Sequence, residues 1–154
     1  MRTVIDYPEF HTHSGGGRTS VTGIGNGEAI MKILNPRVHG YLDYVLVALF
    51  LLAPTLFGLS SVPSMISYAL AGIHFTETVL TAFPLGLVSL LPFTVHGAIE
   101  FLISFILIAM PWIAGFASET AARNFFIGAG ILIFVVWLTT DYKAAQEKSI
   151  LAAA

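Results

Sequence analysis

Val38-His39-Gly40-Tyr41-Leu42-Asp43 returns fifty-seven residues later as Val95-His96-Gly97-Ala98-Ile99-Glu100. In each copy an imidazole and a carboxylate stand four positions apart at the mouth of a long apolar run. A helix carries residues i and i+4 on one face, so each copy aims its histidine and its acid the same way. Two such pairs are costly to keep inside apolar helices. They are therefore the leading candidates for function, although they do not by themselves name a reaction.

The composition around them decides the solvent. The chain has 154 residues, 56% of them hydrophobic and 10% charged, whereas soluble domains carry about 25% charged residues. From Tyr44 to Ile99 the only formal charge is Glu77, and from Phe101 to Ser118 there is none. Long uncharged apolar runs of this kind predict an all-α, polytopic membrane protein whose immediate partner is the lipid bilayer. A net charge of -2 gives no basis for a nucleic-acid partner. The absence of cysteine excludes disulfides, thiolate metal sites and cysteine catalysis.

Working outward from the repeated stretch, residues 1–34 read as a flexible polar tail rich in glycine. Within it His11 and His13 offer at most a weak metal site. Asn35-Pro36 opens the first helix, a capping residue followed by proline at the first helical position. That helix is expected to run to about Gly58, with Pro54 loosening its last turn. Leu59 to Pro63 is read as a loop, and Ser64 to Phe83 as a second helix carrying His74, Thr76, Glu77, Thr78 and Thr81. The apolar connector from Pro84 to Pro92 is expected to lie in the membrane interface. Phe93–Ile113 and Thr120–Thr140 complete the set of four. Residues 35–142 are thus predicted to form a four-helix membrane bundle, with repeat one at 36–83, repeat two at 93–141, and a short C-terminal tail at 143–154. The glycines of the two copies, Gly72 and Gly130, are the expected points of close helix approach.

Four transmembrane helices would leave both termini on one side. Arg2, Arg18, Lys32, Arg37, Lys143 and Lys148 fall on that side and Arg123 opposite, so the positive-inside rule places both termini in the cytoplasm. The duplication extends past the opening motif. Pro54 and Gly58 match Pro111 and Gly115 at the same offset. One inserted residue later, Ala71-Gly72-Ile73 matches Ala129-Gly130-Ile131, and Leu80-Thr81 matches Leu138-Thr139. The chain therefore reads as two tandem helical hairpins in parallel orientation.

The stretch Ala109-Met110-Pro111-Trp112-Ile113-Ala114-Gly115-Phe116, followed by Ala122-Arg123-Asn124 and an apolar helix, resembles the SPW-repeat family. Its members are small bacterial membrane proteins built from a hairpin with a Ser-Pro-Trp signature. The resemblance covers residues 38–141 as two copies. Met110 stands where the signature has serine, and the first copy reads Ala53-Pro54-Thr55 without tryptophan. It implies the hairpin fold and a bacterial inner membrane, and it carries over no catalytic residue. Pro111-Trp112 is then a helix-end break with an indole at the interface.

Helix geometry predicts that His39, Asp43, His74, Glu77, His96 and Glu100 converge on one layer near the terminal side. In the second copy Leu132 and Val135 occupy the positions of His74 and Glu77. Each ionised group at mid-membrane costs about 2.5–3.5 kcal/mol, so the acids must be protonated, paired, bound to a cation or wetted. Four readings compete: a hydrogen-bonded network that locks the bundle, a zinc, iron or manganese site, a proton or small-solute pathway, and haem held by His39 and His96. For haem, Gly40 and Gly97 would leave room for a flat ring. The known di-iron pattern of bundles, Glu-x-x-His, is reversed here as His74-x-x-Glu77. No Gly-x-Ser-x-Gly elbow supports a hydrolase, and no catalytic residue is assigned. The phenylalanines and the helical threonines read as packing residues and backbone-bonded hydroxyls, and Tyr41, Tyr44, Trp112, Trp137 and Tyr142 as aromatic belts. The sequence thus predicts a small, non-enzymatic integral membrane protein, either an accessory subunit of a membrane complex or a homo-oligomer. The alternative is a metal- or haem-binding redox or hydrolytic membrane protein, or a proton or solute pathway.

Overall fold

The computed structural model describes residues 33–142. The readings made for residues 1–32 and 143–154, including His11, His13 and most of the basic residues used to orient the chain, lie outside the described residues.

The described chain is helical apart from two short strands. Helix α1 spans Pro36–Phe57. The Asn35 side chain accepts from the Arg37 and Val38 backbone N–H groups at 3.0 Å, satisfying donors that the first turn leaves without partners. Gly58, at φ 60°, ends the helix and returns its N–H to the Pro54 carbonyl. Pro54 itself stays inside α1.

Helix α2 spans Ser61–Leu80, three residues earlier at each end than its composition suggested. Pro63 is accommodated at its start because first-turn N–H groups need no intrahelical acceptor. At the far end Thr81 turns extended, and Thr81–Ala82 (β1) pairs in parallel with Leu91–Pro92 (β2). The connector between them folds back on α2, with the Leu87 and Val88 N–H groups donating to the Val79 carbonyl. Helices α3 (Phe93–Ile113) and α4 (Thr120–Thr139) follow.

Helices α1, α3 and α4 are long and apolar enough to cross a membrane. The expectation of four such helices is met for three. Helix α2 has comparable length but carries serines, His74, Thr76, Glu77 and Thr78, which lower its apolar character. Large apolar side chains face outward on all four helices, among them Leu56, Met65, Ile73, Leu102 and Ile131.

Helix α1 lies against α2 and α3 against α4, while α4 also touches α1. The apolar core gathers Leu46, Phe50, Ala53, Leu107, Phe126 and Ile133, with Phe50 edge-on to Phe125 at 5.7 Å. Ser67 donates to the Phe50 carbonyl at 2.7 Å, tying α2 to α1. Gly130 is a point of close approach, since a Cβ there would meet the Ser104 carbonyl oxygen at 2.6 Å. Gly72 is not, for a Cβ there would meet nothing within 4 Å. The expectation for Gly72 is corrected: the helix that should press against it stands off.

Two backbone clasps close the end of the molecule that carries the histidines. Leu34 bridges to Thr140, its N–H donating to the Thr139 carbonyl at 2.9 Å and its carbonyl accepting from Asp141 N–H at 3.0 Å. Leu91 pairs with Thr81. The segment entering α1 is thus held by the exit of α4, and the segment entering α3 by the exit of α2.

Candidate metal centre

The six polar residues singled out in the sequence do converge. His39 and Asp43 come from one face of α1, His96 and Glu100 from one face of α3, and His74 and Glu77 from α2. His39 and His96 are 0% exposed, Asp43 1%, Glu100 3% and His74 8%, so the cluster is sealed from its surroundings except along the α2 side.

The histidine orientation follows from a pair of threonines. Thr140 Oγ1 lies 2.9 Å from His39 Nδ1 and 2.6 Å from the Val136 carbonyl oxygen. Thr81 Oγ1 lies 3.0 Å from His96 Nδ1 and 2.6 Å from the Glu77 carbonyl oxygen. A carbonyl only accepts, so each hydroxyl gives its single proton to the backbone and accepts from Nδ1–H. Both imidazoles are thereby held with Nδ1 protonated and Nε2 turned inward. The two Nε2 atoms face each other at 3.3 Å.

Two carboxylates close around that pair. His39 Nε2 is 3.3 Å from Asp43 Oδ1 and 3.4 Å from Glu100 Oε2. His96 Nε2 is 3.6 Å from Asp43 Oδ2 and 3.6 Å from Glu100 Oε1. One ligand atom from each of the four residues falls within 4.8 Å of every other. Tetrahedral bonds of 2.0–2.2 Å to nitrogen and oxygen span edges of about 3.3–3.6 Å. Each Nε2 has one oxygen of each carboxylate within 3.6 Å, a different oxygen for His39 than for His96, so the four residues surround one point and a bound ion would draw one oxygen of each acid inward. The buried Asp43 Oδ2 has no hydrogen-bond partner, so it is free to ligate. The donor set fits a divalent cation, whose charge two carboxylates would balance.

Tyr142 supports the acid from outside. Its hydroxyl donates to Glu100 Oε2 at 2.7 Å, and its ring lies over Phe93 and His39. Burial and the adjacent Glu100 carboxylate push the phenol above the ordinary tyrosine value, which keeps it protonated and donating.

His74 and Glu77 stand one step further out. His74 Nε2 is 3.8 Å from Asp43 Oδ1, and its Nδ1 is 3.7 Å from Glu77 Oε2. Glu77 Oε1 is 3.6 Å from His96 Nδ1. These separations exceed a hydrogen bond, and both His74 Nε2 and Glu77 Oε1 are buried without a partner.

No family model, curated protein or solved structure matches this chain.

The geometry of the site disfavours haem. Two axial nitrogens on opposite sides of an iron would be separated by about 4 Å, twice a metal–nitrogen bond, and here they are 3.3 Å apart. The space beside the glycines is also filled: a Cβ on Gly40 would collide with the Phe83 ring, and one on Gly97 would come within 2.6 Å of Tyr142 Cζ. The glycines make room for these two aromatic rings.

Thr81, Thr140 and Tyr142 were not recognised as site residues from sequence. The helical threonines do bond their own backbones as expected, and that common behaviour concealed the second role of Thr81 and Thr140. The available signal was a second alignment shift. At an offset of fifty-nine Thr81 meets Thr140 and Phe83 meets Tyr142, the pairs that serve equivalent positions around the two histidines.

Proposed function

We propose that the protein is a small integral membrane protein whose two helical hairpins cross the bilayer in four spans and are clamped together by one divalent metal ion held by His39, Asp43, His96 and Glu100. The observation that carries this reading is the convergence of two buried imidazoles and two buried carboxylates, whose Nε2 and oxygen atoms lie 3.3–3.6 Å apart, with each Nδ1–H donated to Thr81 or Thr140 so that Nε2 is the ring atom turned toward the acids. Two neutral imidazoles held this way would turn their Nε2 lone pairs on each other, an arrangement that a cation between them relieves. Four protein ligands are the pattern of a structural site, whereas catalytic sites keep a position open. A non-enzymatic role follows, and zinc suits the tetrahedral set, with iron or manganese as the other candidates. The outward-facing Met65 and Phe75 of α2 support a fourth span despite its lower apolarity. The reciprocal clasps and the SPW-repeat resemblance support the tandem-hairpin arrangement in a bacterial inner membrane.

The test is metal analysis of the full chain purified in detergent after growth with added zinc. About one divalent ion per chain is expected, lost in the double variant His39→Asn, His96→Asn with helical content kept. A wild-type chain that carries no metal and takes up none on titration would refute the reading. A second reading has its own observation: the Nε2–Nε2 distance of 3.3 Å also suits one shared proton, balanced by the carboxylates. Metal-free protein with an intact fold would favour it.

A further inference from the structure

Between α2 and α3 lies a groove of about 750 Å³, lined by Tyr68, Gly72, Thr76, Glu77, Leu91 and Ile99 among others. The corresponding crevice between α4 and α1 holds about 50 Å³; it reaches Asp43 and Glu100 but is otherwise walled by apolar residues, among them Leu46, Leu132, Ile133 and Val136. The two halves of the chain differ at the residues that decide this. Helix α4 has Gly130 pressed against the Ser104 backbone, while Gly72 of α2 faces open space. Where α4 carries Leu132 and Val135, α2 carries His74 and Glu77.

These two side chains join the groove to the centre. Glu77 borders the groove, and its carboxylate is 3.7 Å from His74 and 3.6 Å from His96. His74 Nε2 is then 3.8 Å from Asp43 Oδ1, which is itself 3.3 Å from His39 Nε2. The side chains of His74 and Glu77 are 10% and 11% exposed, against 0–3% for the four inner residues. Each presents a buried ligand atom without a partner. Neither belongs to the inner group of four, so a purely structural site would not need them.

We propose that the α2–α3 groove is the route by which a divalent cation enters and leaves the centre, with Glu77 and His74 as transfer ligands that hand it to Asp43. This rests on the reading of the inner four residues as a metal site. A hydrated cation loses water stepwise only if protein ligands replace it. Glu77 offers a first carboxylate at the groove wall, His74 a nitrogen beyond it, and Asp43 an oxygen shared with the final site. Helix α4 has apolar residues at both positions, so the narrow crevice beside it, although it touches Asp43 and Glu100, offers a cation no intermediate ligand.

The test uses the full chain in detergent, loaded with zinc, and follows exchange against isotopically labelled zinc. In the double variant His74→Leu, Glu77→Val, which copies the residues of α4, the bound zinc should stay at one per chain. Its exchange rate should fall at least tenfold. Gly72→Leu fills the groove without touching a polar group and should also slow exchange. It serves as the reporter should the double variant fail to fold. Exchange at the wild-type rate in these variants overturns the route, as does loss of bound zinc in the double variant, which would make His74 or Glu77 a ligand instead. Exchange slowed instead by a bulky residue at Val136, in the α1–α4 crevice, overturns it too. A wild-type chain that binds no zinc is a different result and strikes the metal site itself.

Discussion

Replacing Thr140 with valine removes one hydroxyl from a buried position while preserving shape. In the native chain that hydroxyl accepts from His39 Nδ1 at 2.9 Å and donates to the Val136 carbonyl at 2.6 Å. The variant leaves the imidazole N–H buried and unpaired, which costs about 1–3 kcal/mol. His39 can relieve this by moving its proton to Nε2, where it would block the lone pair that the proposed metal needs. Loss of such outer partners lowers metal affinity about 10–100-fold, or about 1.4–2.7 kcal/mol, consistent with the hydrogen-bond figure. We predict a loss of zinc affinity in that range for Thr140→Val, measured by competition with a chelator of known affinity. Thr140→Ser keeps the hydroxyl and should recover most of it. Thr139→Val is the internal control, because the Thr139 hydroxyl bonds its own helix at Val135 and Val136, whereas the partner of His39 Nδ1 is Thr140. Equal affinities in Thr140→Val and Thr139→Val would show that the hydroxyl does not set the tautomer.

Thr81→Val should repeat the Thr140 result through His96, and a variant with both changes should lose more than either alone; an unaltered Thr81→Val protein would contradict the reciprocal design. Tyr142→Phe removes the hydrogen bond to Glu100 and should lower thermal stability by an amount worth about 1.5–3 kcal/mol, the range for bonds to a charged group. Because the Tyr142 pKa is raised on folding, the stability from its neutral form is fully present below the unfolded value of about 10 and declines above it. A wild-type minus Tyr142→Phe difference that instead vanished between pH 6 and 9 would be inconsistent with this. Among the glycines, Gly130→Ala should destabilise by about 1–3 kcal/mol because its methyl meets a backbone carbonyl. Gly72→Ala should be neutral or stabilise by about 0.5–1 kcal/mol through helix propensity; thermal melts that ranked the two the other way would mean the groove is closed in solution.

The helices and the six inner residues were legible because they rest on short-range regularities. Asn35-Pro36 is a local start signal, and His39–Asp43 and His96–Glu100 share a face by helix periodicity alone. The internal repeat then placed the two faces opposite each other, as like copies tend to meet. What was not legible depended on the ends of elements. The boundaries of α2 moved because Pro63 can sit in a first turn and because Thr81 leaves the helix to pair with Leu91. Those same end residues, Thr81 and Thr140, orient the histidines, and no rule of periodicity reaches them. Gly72 failed as a contact for a related reason: the repeats look alike in sequence there, but the helices around them pack unequally.

The clasps at Leu34–Thr140 and Leu91–Thr81 make the molecule a closed ring of contacts although the polypeptide is linear. Of the two junctions one is spanned by the connector at 83–90, and the other by hydrogen bonds alone. Covalent continuity is therefore interchangeable between them. A chain that begins at Leu91, runs through α3 and α4, and is joined by a short linker from Tyr142 to Ile33 before α1 and α2 would present the same four ligands. Each half supplies one histidine and one acid to the inner group of four, which is complete only with the two halves side by side. On the proposed metal reading, the order of the repeats along the chain would be unconstrained, while their number would be set by the need for two histidines and two acids.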